Sequence, residues 1–162
     1  MQLMLQPDIP VLQRPLGYTD HILLCGSCFT EHIADRLSQY RFNCLSNPNG
    51  ILFNPLSVAD SINGYLADQQ YTEADLFYLN ELWNCWDHHT RFSDITQEAA
   101  LQRINAAQAA ASAFIKKADV IVITLGSAFQ YFLTADGRPV SNNHRAPAQW
   151  FEKRLLTIET IN

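Results

Sequence analysis

The sequence contains no long hydrophobic run: nothing in it approaches the roughly 18 consecutive apolar residues that a membrane-spanning helix needs. No membrane span is expected. Residues 1–15, with Pro7, Pro10 and Pro15, lack the basic start and unbroken apolar core of an export signal, which points to a cytoplasmic protein. Basic residues are also few, 11 against 16 acidic for a formal charge of -5, and only Lys116-Lys117 and Lys153-Arg154 stand together. No stripe tracks a phosphate backbone, so nucleic acid is not an expected partner. Four cysteines, Cys25, Cys28, Cys44 and Cys85, are too few for a disulfide scaffold in a chain of this size, and reduced, partly buried thiols are expected instead. There is no internal repeat, and the only low-complexity stretch is alanine-rich, in a helical pattern.

What is present suits one α/β domain over residues 1–162. Residues 1–20 read as an extended lead-in along the surface. Residues 21–25 form a short apolar run of the kind a buried parallel strand shows, and Phe29, Ile33, Leu37 and Tyr40 then recur at helical spacing. Residues 41–45 alternate as a second strand ends in the turn-rich Ser46-Asn47-Pro48-Asn49-Gly50. Asn54-Pro55 predicts a helix start, cap then proline, for a helix over 55–67. Thr72-Glu73-Ala74-Asp75 predicts a short helical turn, and 77–86 a small hairpin around Asn80-Glu81. A polar loop over 87–93 precedes the longest helix, which begins near Thr96 and reaches Ala118, its alanines suited to close packing on a sheet. The β-branched run 119–125 predicts a buried strand ending at Gly126, and 131–140 a hairpin around Asp136-Gly137. From Gln149 onward, Trp150, Phe151, Leu155 and Ile158 predict a final helix. This order is the grammar of a three-layer, flavodoxin-like fold, a parallel sheet with helices on both faces and small hairpin excursions. Ligands gather at the carboxyl ends of such strands, where Gly26-Ser27, the 47–54 loop and Gly126-Ser127 all fall.

Ser27 is the sharpest candidate for chemistry. It ends a strand and opens a helix, where unpaired N–H groups, its own and that of Cys28, could hold an oxyanion. The plain alternative is that its hydroxyl only caps the helix. Cys25-Gly26-Ser27-Cys28 also allows a thiol-redox reading, although Cys25 ends the strand instead of opening the helix. A zinc site from Cys25, Cys28, His88 and His89 is a weaker one. Trp83, Trp86 and Trp150, with Phe77, Tyr78 and Phe92, suit a satellite core or a sugar-binding surface.

The blocks Gly26-Ser27-Cys28-Phe29-Thr30, Asn47-Pro48-Asn49-Gly50-Ile51-Leu52-Phe53-Asn54-Pro55, His88-His89-Thr90-Arg91-Phe92-Ser93, Thr124-Leu125-Gly126-Ser127-Ala128 and Asn142-Asn143-His144-Arg145 together resemble the GSCFA domain family, a relative of the SGNH/GDSL hydrolases. Thr30 stands where the motif that names the family has alanine. The resemblance implies a serine esterase centred on Ser27, acting on acyl or O-acetyl esters of small molecules or carbohydrates, with no cofactor and no metal. It assigns oxyanion and substrate contacts to Cys28, Gly50, Gly126 and Ser127. Ala128 occupies the place of the SGNH asparagine, and Asn142 is the substitute from a later loop. The family of hydrolases spaces its relay Asp-x-x-His, and none of the five histidines has an aspartate three residues before it. His89 and His144 are therefore the alternative bases, and the expectation is an amino-terminal portion whose relay lies beyond Asn162. The rival expectation is a non-catalytic binding module with the same fold.

Overall fold

The structure is a computed structural model that describes residue 10 and residues 14–161. Most of the expected lead-in lies outside the described residues. At the centre is β1 (His21–Gly26), whose Ile22, Leu23 and Leu24 are wholly buried, as a parallel strand covered on both faces requires. It pairs in parallel with β2 (Asn43–Ser46) on one side and β5 (Val120–Thr124) on the other, the last register pair being Gly26 with Thr124. The sheet order is thus β2-β1-β5.

Helices cover both faces. α1 (Cys28–Gln39) closes one side over Ile22, Leu24, Val120 and Val122. α2 (Pro55–Leu66) and α3 (Gln97–Ile115) close the other over Leu23, Cys25 and Leu52. These are the three layers expected from the order of elements, but the expected burial of β5 is corrected: α1 covers Val120 and Val122, while Ile121 and Ile123 on the other face are exposed, because α2 and α3 pack over β1 and not over this edge strand. The stripe on α1 is rotated from the expected one: Thr30 and Ala34 are buried with Ile33 and Leu37 against them, while Phe29 and Tyr40 are exposed. The cap at Asn54 forms as expected, its side chain accepting from the Ser57 N–H at 2.9 Å, and Thr96 caps α3 in the same way. α3 ends at Ile115, one turn short of Ala118.

Two excursions leave this core. β3 (Leu76–Leu79) and β4 (Leu82–Cys85) form the hairpin, turned at Asn80 and Glu81 with both residues at positive φ. β6 (Phe129–Leu133) carries β7 (Pro139–Val140) on one edge and β8 (Phe151–Leu155) on the other. The helix expected from Gln149 is therefore corrected: a turn at Ala148–Trp150 leads into β8, and only Ile158–Ile161 is helical, as α4. Pairing overrides the helical spacing there. Five residues of β8 bond antiparallel to β6, and Lys153 and Arg154 lie over the Phe129 and Phe132 rings at 4.3 and 4.6 Å. No helix among the described residues is long and apolar enough to cross a membrane.

β1 is followed by chain that runs to β2, while its other neighbour, β5, comes from across the sheet. The carboxyl ends of these two strands are thus the switch point of the sheet, the place where ligand crevices form in such folds. Ser27 stands there, 8 % exposed.

Candidate active site

Ser27 takes the N-cap position of α1 with extended backbone, φ -70° and ψ 177°, yet its side chain caps nothing. The hydroxyl is turned to β5, where Oγ lies 2.9 Å from Thr124 Oγ1. Its N–H continues the ladder, donating to the Thr124 carbonyl at 3.0 Å and to Thr124 Oγ1 at 3.1 Å. Thr124 Oγ1 is also hydrogen-bonded to Thr30 Oγ1, so three hydroxyls meet at one point. With the Ser27 N–H engaged, the donors left open at the start of α1 are the N–H groups of Cys28 and Phe29, which have no partner among the described residues. They carry the positive end of the helix dipole.

The 47–54 loop folds back on this junction. Asn47 is 2 % exposed, and its Oδ1 accepts from the Gly26 N–H at 2.8 Å. Leu52 N–H donates to the Gly26 carbonyl at 2.9 Å. Gly50 has φ 87° and sits where a Cβ would come within 2.1 Å of His89 Cβ, so only glycine lets the two loops close together. Its N–H is held by the Asn47 carbonyl at 2.7 Å. Gly126 is less tightly placed, a Cβ there standing 3.0 Å from the Phe53 ring and in ordinary contact, 3.5 Å, with Ser27 Cβ. The N–H groups of Gly126 and Ser127 both donate to the Phe53 carbonyl. The glycines thus shape the crevice through their missing side chains, and their N–H groups are spent on the backbone.

Among the histidines, His89 is half-buried on the loop that touches Gly50, and its Nδ1 accepts from the Arg91 N–H at 3.3 Å. Burial, helped by the Arg91 charge, holds its pKa below that of an ordinary histidine. Arg91 ties this loop to the site, pairing with Glu31 on the first turn of α1 at 2.8 Å and with the Asn47 carbonyl at 2.8 Å. His144 is differently placed. Its Nε2 lies 2.7 Å from the Cys85 carbonyl, so it carries the proton there, and its ring packs edge-on to Trp86 and Phe77. Burial lowers its pKa as well, against the raising effect of that carbonyl. No histidine is hydrogen-bonded to Ser27 Oγ among the described residues; its partner is Thr124.

Asn142 accepts the His144 N–H at 2.8 Å and stands between two clefts. One, of about 270 Å3, is lined by Phe53, Asn54, Ser127, Phe129, Tyr131 and Lys153; the other, of about 510 Å3, by His89, His144 and the tip of the β3–β4 hairpin. Ser27, Cys28, Gly50 and Gly126 therefore gather at one junction, His89 adjoins it through Gly50, and Ser127 and Asn142 flank it. Thr124, Asn47, Arg91 and Glu31 were not singled out from the sequence. Thr124 had one signal, a hydroxyl at the last position of an otherwise apolar strand.

The thiol alternative is overturned. Cys25 is 2 % exposed in the core and burial pushes its thiol up to about 12, the opposite of an activated thiolate, while Cys28 is exposed beyond it. The zinc alternative fares no better: no three metal-ligating side chains converge among the described residues, and His88 is wholly buried between Tyr71 and Phe92. The aromatic side chains of the β3–β4 region are largely a satellite core, Trp83 and Phe92 packing on Leu76 and Cys85, and Phe77 on Trp86.

Neither a curated protein nor a solved structure matches the chain. The sequence blocks from the first strand-helix junction to the Asn142 loop all lie within residues 21–162, which the model of the GSCFA family matches, and the chain belongs to that family.

Proposed function

We propose that this protein is a serine hydrolase acting on acyl esters, with Ser27 as nucleophile. The observation that carries the reading is that the Ser27 hydroxyl, although at an N-cap position, is not used to cap α1 and stands beside two unpartnered helix N–H groups, those of Cys28 and Phe29. In the reaction, Ser27 Oγ adds to the ester carbonyl while its proton passes to a base, and the oxyanion is held by those N–H groups. The alcohol leaves with the proton, and water then releases the acid from the acyl-serine. His89 is the base that this reading selects. It is kept neutral by burial, adjoins Gly50, and has an Nε2 with no partner among the described residues, whereas His144 has committed Nε2 to Cys85. Ser127 and Asn142 line the cleft that would take the substrate, and Gly50 and Gly126 shape the backbone beside Ser27. The aromatic and amide lining beside Ser127 suits an acylated alcohol with a sugar-like ring, an O-acetyl carbohydrate ester included.

A second reading, a binding module without catalysis, is favoured by one observation: Ser27 Oγ meets a threonine and no histidine. Incubation with a fluorophosphonate probe separates the two. A covalent adduct on Ser27, absent from Ser27→Ala and slowed in His89→Ala, supports the hydrolase. Folded protein that takes up no probe supports the binding module.

A further inference from the structure

We infer that Thr124, with Thr30 behind it, is a positioning residue that holds Ser27 Oγ by donating a hydrogen bond to it, leaving the Ser27 proton free to leave. The inference rests on the nucleophile reading above and concerns how that hydroxyl is prepared. A threonine hydroxyl has one proton to give and two lone pairs to fill. Thr124 Oγ1 has three neighbours: the Ser27 N–H at 3.1 Å, Ser27 Oγ at 2.9 Å, and Thr30 Oγ1. The N–H can only donate, so it takes one lone pair. Of the two remaining hydroxyls, one donates to Thr124 and the other accepts from it.

Burial decides which. Thr30 is 0 % exposed and Thr124 is its single side-chain partner among the described residues, so if Thr30 accepted, its own proton would be buried with nothing to bond. Ser27 keeps 8 % of its surface, against none for Thr30, so its proton has a way out to water, substrate or base that the Thr30 proton lacks. The chain therefore runs Thr30 O–H to Thr124 Oγ1, and Thr124 O–H to Ser27 Oγ. This order has a chemical consequence. As Ser27 loses its proton and Oγ gains negative charge in the attack, the bond from Thr124 becomes charge-assisted and strengthens. It also fixes χ1 of Ser27 away from the cap position, so the nucleophile is held in place before substrate binds. Thr124 itself is seated by Gly26, whose absent Cβ would fall 2.0 Å from the Thr124 carbonyl oxygen.

Two measurements test the inference. Proton NMR of the wild-type protein reads the chain directly and needs no hydrolysis. A slowly exchanging Thr30 hydroxyl proton with a cross-peak to the Thr124 side chain is expected, with the Ser27 hydroxyl in exchange with water; a protected Ser27 hydroxyl overturns it. The second is the rate of fluorophosphonate labelling at Ser27. Thr124→Val should slow it by about 10- to 100-fold, the range of a hydrogen bond to a developing charge, and Thr124→Ser should restore most of the rate. Thr30→Val with Thr124→Val, which leaves no buried hydroxyl orphaned, keeps the comparison available should the single valine variant fold poorly. It should be as slow as Thr124→Val. Wild-type labelling with undiminished rates in these variants overturns the inference alone, whereas a wild-type protein that takes up no probe, with the hydroxyl chain intact by NMR, overturns the nucleophile reading on which it rests.

Discussion

Gly26→Ala is the most demanding substitution for this account of the β1–β5 junction. Gly26 has φ 141°, a region that L side chains rarely adopt, and a Cβ built on it falls 2.0 Å from the Thr124 carbonyl oxygen and 2.9 Å from Thr124 Oγ1. Both atoms belong to a strand held by five register pairs, so neither can swing aside as the tip of a flexible side chain would. Backbone strain of about 1–3 kcal/mol and overpacking of about 1–3 kcal/mol give an expected loss of roughly 2–6 kcal/mol, a large share of the stability of an ordinary domain. Gly137→Ala supplies the control, because Gly137 has φ 74° but nothing within 4 Å of the added Cβ. It carries backbone strain alone, about 1 kcal/mol after the entropy removed from the unfolded chain. Urea unfolding of the two variants against wild type, at matched m-values, isolates the clash with Thr124 as their difference. A Gly26→Ala variant no less stable than Gly137→Ala would refute the reasoning, since it would mean that the ends of β1 and β5 part at no cost.

Three further outcomes follow from the described geometry. Asn54→Ala should lower stability by about 1 kcal/mol, the usual worth of a lost N-cap, as measured by urea unfolding. In the second, His88 has no exposure and, among the described residues, no partner for either nitrogen, and burial lowers its pKa from 6.5 to about 3. The unfolded chain therefore binds the proton more readily between these values, so stability falls as pH drops through that window, with a slope approaching about 1.4 kcal/mol per pH unit from this group; in His88→Phe, urea midpoints at pH 7, 5 and 4 should fall less than those of wild type. Third, alkylation of the native protein followed by mass mapping should modify exposed Cys28 first and spare Cys25 and Cys85, each 2 % exposed with a thiol pushed up to about 12; early modification of Cys25 would contradict the packing of β1.

The layers were legible because local signals and packing agree. Asn54-Pro55 and Thr96 mark helix starts that the structure caps with their own side chains, and the apolar run of β1 is the strand that α1, α2 and α3 cover, whereas the equally apolar run of β5 lies at an edge with Ile121 and Ile123 exposed. The spacing of Trp150, Phe151, Leu155 and Ile158 fits a helix, while the partner that makes 151–155 a strand lies well outside that window, from Leu133 paired with Phe151 to Phe129 paired with Leu155. No local pattern carries that information. The rotation of α1 has a related cause: Phe29 looks like the first core residue of the stripe, but Thr30 takes the buried place because its hydroxyl bonds across to β5.

The same cross-strand bond governs what was legible of the candidate site. Ser27 was found from its position between strand and helix, and position alone also predicts a cap, since serine is a preferred N-cap residue. Whether a serine there caps or is kept for chemistry depends on where its hydroxyl finds a partner, and that partner lies 97 residues away. The choice is therefore made by β5. A hydroxyl at the last position of that strand draws Ser27 Oγ off the helix, leaves the Cys28 and Phe29 N–H groups open, and gives the crevice both a nucleophile and donors from the same few atoms. An apolar residue at 124 would free the serine to cap α1, closing one of those donors. On this argument Thr124 bears on the first motif twice, through a backbone that only a glycine at 26 can approach and through a hydroxyl that turns the Ser27 side chain.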